Sequence, residues 1–160
     1  MASTSERMYV VRSGTSATNS TTVALTAATA KTVVGVFGTA GTSICLKRVR
    51  VSFASITATD VPALVEVGIT TAAGTVGTSF TPVQMVGHTL ASACSAGYNY
   101  SGEPTYNRIL ESTYVPVNNG LMEWWYPLGE EPQCDLSQGL GIRITSPQAQ
   151  NCFASLIYSE

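Results

Sequence analysis

Charge is what this sequence has least of. Its 160 residues include 8 Lys and Arg, 10 Asp and Glu and one histidine, so 11% of the chain is charged and the net charge is −2. Ordinary domains carry about 25% charge. A folded chain of this mass exposes roughly 7,600 Å², which leaves about one charge per 400 Å² of surface. Low surface charge favours association, so much of this surface is expected to meet other protein. The lack of a basic excess also argues against nucleic acid as a general partner.

Other scarcities narrow the chemistry. His88 is the sole imidazole, so a Ser-His-Asp or Cys-His site would have to be built on it, and no GxSxG surrounds any serine. A histidine-based metal site is short of ligands, and Cys45, Cys94, Cys134 and Cys152 are widely spaced with no CxxC pair. Those four thiols allow two disulfides or buried free cysteines, the second being expected of a cytosolic product. No GxGxxG follows a strand and no P-loop occurs, so a nucleotide cofactor has no support. Near the N-terminus no apolar run has the length of a secretory segment or a membrane span, so neither export by that route nor a membrane partner is expected. No cofactor and no catalytic residue is assigned.

What is abundant is Thr, Ser, Ala, Gly and Val in strand-like alternation, with 44% apolar residues, enough for one core. Period-two runs separated by turn residues read as an all-β chain of two packed antiparallel sheets. They are Thr22 to Ala27, Thr32 to Phe37, Ser43 to Phe53, Ala63 to Thr71, Pro82 to Val86, Tyr106 to Val115, Leu121 to Tyr126, Leu140 to Thr145 and Cys152 to Tyr158. In the third run Ile44 and Leu46 share one face while Val49, Val51 and Phe53 share the other, so a bulge near Lys47 is expected. Val65, Val67 and Ile69 point one way in the fourth.

No helical period, internal repeat or linker appears, and residues 22–160 read as a single domain. Residues 1–21 are mostly Ser, Thr, Ala and Gly around Met8-Tyr9-Val10-Val11. Too few apolar groups are present there to offset the ordering of every residue, so an extended polar arm is expected, either a frayed end or a segment that orders on a partner. Gly87 to Gly102 reads as a long loop, and Pro127 to Pro132 as a surface corner.

Three groupings merit weighing. Glu66 and Glu123 lie in strand-like runs and could in principle face each other as a glycosidase pair, although partnership with Arg108, Arg143 or Lys47 is the plainer expectation. Lys47, Arg48 and Arg50 read most simply as an edge strand guarded by charge, with a specific subunit contact as the alternative. Trp124 and Trp125 must face opposite ways on a strand, and an outward Trp125 serves as a sugar platform, an interface anchor or a plug at the end of the sandwich. The residues marked as candidate interface are Tyr9, Arg48, Arg50, Tyr98, Tyr100 and Trp125.

The order of several blocks carries a resemblance. Leu64 to Thr75 is followed by Glu103-Pro104-Thr105, Tyr114-Val115-Pro116, Met122-Glu123-Trp124-Trp125-Tyr126-Pro127-Leu128-Gly129, Gly139-Leu140-Gly141-Ile142-Arg143-Ile144 and a last strand closing on Glu160. This layout resembles that of tailed-bacteriophage virion structural proteins, small β-sandwich or jelly-roll subunits that decorate or cement a capsid or build its head fibres and tail. The resemblance implies a jelly-roll-like fold and no active site. It further implies a homo-oligomer, often a trimer, made in the host cytoplasm and carried on the capsid exterior. The implied partner is the major capsid protein or another virion subunit, with a carbohydrate-binding sandwich as the alternative reading.

Overall fold

The computed structural model describes residues 7–14, 20–39, 41–54, 61–86 and 90–160. His88 and the greater part of the N-terminal segment, residues 1–6 and 15–19, lie outside the described residues. Among the described residues thirteen strands are present: β1 (Met8–Arg12), β2 (Val23–Leu25), β3 (Ala30–Phe37), β4 (Ile44–Phe53), β5 (Ala63–Ala72), β6 (Thr78–Phe80), β7 (Val83–Val86), β8 (Ser95–Tyr98), β9 (Thr105–Val115), β10 (Leu121–Trp125), β11 (Gln133–Cys134), β12 (Gly139–Thr145) and β13 (Gln150–Ser159). No helix occurs among the described residues.

The strands form two antiparallel sheets packed as a β-sandwich. One is seven-stranded, in the order β10-β4-β13-β1-β7, with β11 on β4 and β2 on β13; the other is six-stranded, in the order β6-β8-β3-β12-β5-β9. Between them lie Ile44, Leu46, Val49 and Val51 of β4 and Leu156 and Tyr158 of β13, facing Val65, Val67 and Ile69 of β5 and Leu140, Ile142 and Ile144 of β12, all buried. Fully burying a side chain of this size contributes about 1.5–3 kcal/mol, so the alternation of each strand fixes which face turns inward.

Strand β4 carries the expected bulge. Its pairing with β13 runs Ile157 to Arg48 and then Tyr158 to Leu46, passing over Lys47. The extra residue lets Leu46 and Val49 both point into the core, where an unbroken strand would send one of them to solvent.

Two expectations require correction. Met8–Arg12 is no part of a free arm: β1 is inserted between β13 and β7, with Tyr9 and Val11 fully buried. Four apolar residues suffice because both neighbours complete the backbone ladder, which removes the need for a larger apolar face of its own. The segment Gly87 to Gly102 likewise contains β8, paired to both β3 and β6. The corner at Pro127 to Pro132 is at the surface, with Leu128 90% exposed.

Candidate interaction surfaces

The two carboxylates weighed as a catalytic pair are on different sheets and serve separate ion pairs. Glu66 Oε2 accepts from Arg143 Nε at 2.9 Å, and Glu123 Oε1 lies 3.5 Å from an Arg48 nitrogen. Each sits on the outer face of its sheet, because its strand neighbours Val65, Val67 and Met122 are buried inward. The glycosidase geometry is therefore not formed by these residues.

Strand β4 is interior, flanked by β13 and by β10 and β11, so its positive charges do not guard an edge. Arg48 and Arg50 instead belong to the outer face of the seven-stranded sheet. Across that face, register aligns Trp125, Arg48, Ile157, Val10 and Val83 in one row and Glu123, Arg50, Ser155 and Arg12 in the next. Trp125 is 63% exposed, while Trp124 is half-buried against the core, which is the opposed orientation expected of adjacent strand residues. The Arg48 guanidinium lies 5.1 Å from the centre of the Trp125 ring, whose Nε1–H donates to Glu123 Oε1 at 3.1 Å. Arg48 Nε is buried and has no acceptor. Arg12 and Arg50 have no ion-pair partner among the described residues.

Of the six candidate interface residues, this face gathers Arg48, Arg50 and Trp125. The tyrosines are inside the protomer. Tyr9 stacks on Tyr158 with ring centres 5.6 Å apart and donates its hydroxyl to Leu90 O at 3.3 Å. Tyr98 belongs to the core between the sheets. Tyr100 is buried against the outer face of the six-stranded sheet, where its ring lies over Gly35. Such side chains offer a partner no surface, since the rings are already covered by the chain's own packing.

Tyr100 marks a feature that strand periodicity alone does not reveal. Gly97, Gly35, Gly141 and Gly68 stand side by side across β8, β3, β12 and β5. The row is a trough without side chains, and Tyr100 and Tyr106 fill it: a Cβ at Gly35 would sit 2.5 Å from the Tyr100 hydroxyl, and one at Gly68 2.7 Å from Tyr106 Cδ1. Glycine in a strand interior signals such close approach, and that signal is visible at Val34-Gly35-Val36 and Leu140-Gly141-Ile142.

Around the tyrosines runs a polar network. Glu103 accepts from the Thr32 backbone N–H at 2.8 Å and from its hydroxyl at 2.5 Å, and Thr32 Oγ1 is 2.9 Å from the Tyr106 hydroxyl. The Arg143 guanidinium lies 4.7 Å from the Tyr106 ring centre. Burial, reinforced by the charge of Glu103, pushes the Tyr100 phenol up to about 12, and burial likewise raises Tyr106. Both stay neutral at physiological pH and act as packing groups with a hydrogen-bonding tip. Sequence reasoning did not single out Glu103, Thr32 or Tyr106; the partners are more than 70 residues apart in the chain.

At the end of the core, Glu160 accepts from the Ala93 backbone N–H at 3.1 Å, from Ser92 Oγ at 3.2 Å and from Cys94 Sγ at 3.1 Å. Burial first, and this carboxylate second, push the Cys94 thiol up to about 12. Burial raises Cys134 and Cys152 to about 12 as well. All four cysteines are free, and the thiols of Cys94, Cys134 and Cys152, held this high, stay protonated at neutral pH.

Most of the strongly exposed apolar side chains belong to β9–β11 and their turns, while Val61 before β5 and Met85 in β7 are exposed elsewhere. Tyr114 in β9, Leu121 and Trp125 in β10, and Leu128 and Leu136 in the turns around β11 are all more than half exposed. Comparison with protein-family models, curated proteins and solved structures finds no match to this chain.

Proposed function

We propose that this chain is a non-enzymatic structural subunit of a virus particle, a capsid decoration or cement protein that binds the outer shell and stabilises contacts between neighbouring shell subunits. One observation carries the reading: the flank formed by β9, β10 and β11 exposes Tyr114, Leu121, Trp125, Leu128 and Leu136, a surface that gains free energy when other protein covers it. The polar side chains support it from the other direction. Glu66, Glu103, Glu123, Glu131 and Glu160 are each tied to a partner within the fold, so these five carboxylates brace the sandwich.

A clamp of this kind works mechanically. Shells under internal pressure part at local symmetry axes, and a rigid sandwich spanning the seam adds buried area there, multiplied by effective concentration when several copies act together. A jelly-roll kinship, a trimeric state and a position on the capsid exterior belong to this proposal, and a head-fibre or tail component would use the same surfaces. Mixed with bare shells, the protein is expected to co-sediment in fixed stoichiometry and to raise the temperature at which they burst. Absence of association with shells or tails refutes the reading.

The exposed Trp125 ring beside Glu123 favours a second reading, a carbohydrate-binding module. Titration of the isolated chain with glycans, read by tryptophan fluorescence, separates the two: tight saturable binding by a monomer supports the module and counts against the structural role.

A further inference from the structure

Two surfaces of the chain complement each other, and both are uncompensated among the described residues. The first is the row Glu123, Arg50, Ser155 and Arg12 across the seven-stranded sheet, in which Glu123 is already paired with Arg48. Its two guanidinium groups have no carboxylate partner among the described residues, and Val10 and Val83 continue beside it, Val83 being exposed. The second is the outermost margin of the same sheet, where the chain leaves β10 at Tyr126, makes the corner Pro127 to Pro132, and returns as β11. There Leu128, Glu130, Asp135 and Leu136 are all exposed, and neither Glu130 nor Asp135 has an ion-pair partner among the described residues.

The corner is built to project. Glu131, next to Glu130 in the corner, turns back into the fold: its carboxylate accepts from Lys47 Nζ at 3.1 Å and from the Gly129 backbone N–H at 2.6 Å. Glu131 thereby pins the base of the corner onto the bulge of β4 and leaves Leu128 and Glu130 facing outward. A leucine 90% exposed between fixed ends is an anchor without a pocket on its own protomer.

We propose that the chain assembles head to tail, the Leu128/Glu130/Asp135/Leu136 corner of one copy docking on the Arg12/Arg50 face of the next, with the leucines meeting Val10 and Val83. The occupant is a second copy because the two patches match in both charge and apolar character. They lie at different places on one protomer, so the contact is heterologous and leaves one patch of each kind for the following subunit. The contact deepens the proposed assembly role, but it forms without a shell. A chain that self-associates yet ignores shells would refute the capsid reading and leave this one standing.

The test is sedimentation velocity over a concentration series with four proteins, each checked for its β-sheet circular dichroism. The wild type is expected to self-associate in about 20 mM salt and less so in about 500 mM. Arg12→Glu/Arg50→Glu and Glu130→Arg/Asp135→Arg are each expected to weaken association by about tenfold or more. An equimolar mixture of the two variants restores it, since each reversed patch then meets its complement. A wild type that remains monomeric, a double variant that assembles like wild type, or a mixture of folded variants that stays dissociated overturns the proposal. Leu128→Ser checks the apolar half: it is expected to weaken association at both salt concentrations, and an unchanged assembly excludes the corner as the docking element.

Discussion

Replacing Gly141 by alanine should destabilise this protein, against the usual sign for such a change. An unhindered glycine inside a strand is about 0.5–1 kcal/mol less stable than alanine. At Gly141 the new Cβ would fall on the Tyr106 hydroxyl and 3.1 Å from Cζ of the same ring, so Tyr106 must leave the glycine trough. Its hydrogen bond to Thr32 Oγ1 and its contact with the Arg143 guanidinium go with it. The hydrogen bond contributes about 1 kcal/mol, the cation–π contact about 0.5–1 kcal/mol, and partial re-exposure of the ring about 1 kcal/mol. Less the alanine gain, the net loss is about 1.5–2.5 kcal/mol, a fall in Tm of about 3–10 °C for a domain of this size. Thermal melting by circular dichroism reads it. Because the hydroxyl is the first atom struck, the penalty should shrink by about 1 kcal/mol in a Tyr106→Phe background. A neutral or stabilising Gly141→Ala, or strict additivity in that cycle, refutes the reasoning.

Deleting residues 2–13 removes β1 and with it the buried Tyr9 and Val11. The deletion should abolish the cooperative melt, whereas a chain that still melts cooperatively near the wild-type temperature would show β1 to be dispensable. Stability should also decline in alkali. The thiols of Cys94, Cys134 and Cys152 rise from 9.0 to about 12 on folding, so above about pH 9 the unfolded chain releases protons that the folded chain keeps, at up to about 1.4 kcal/mol per pH unit for each thiol. Their stabilisation is complete below the unfolded value and is lost as pH rises through the window to about 12. Urea unfolding at about pH 8 and about pH 10 checks it, and equal stabilities contradict the burial of these groups.

The legible parts of the fold were those where one strand declares its own inward face. The parity switch at Lys47 placed the β4 bulge, and Val65, Val67 and Ile69 identified the inner face of β5. What stayed hidden was structure completed by a neighbour. Strand β1 draws much of its order from two flanking ladders, β8 is four residues long, and β11 only two, so none has a period long enough to stand out. The surfaces divided in the same way. Trp125, Arg48 and Arg50 followed from strand alternation, whereas Tyr98 and Tyr100 looked exposed because what covers them, the inter-sheet core for Tyr98 and the glycine trough at Gly35 for Tyr100, is built from distant segments. Position in the sheet also decided the role of β4: its basic residues resemble a guarded edge until β10 and β11 are seen to pair beyond it.

Under the proposed role the sparse charge of this chain marks surface left for other protein, and an electron-microscopy reconstruction of virus particles tests that proposal most directly. The expected map shows several copies of one sandwich on the outer shell, with the β9–β11 flank buried against neighbouring subunits. Particles that lack the chain, or copies whose Trp125 and Leu128 flank faces solvent throughout, would contradict it.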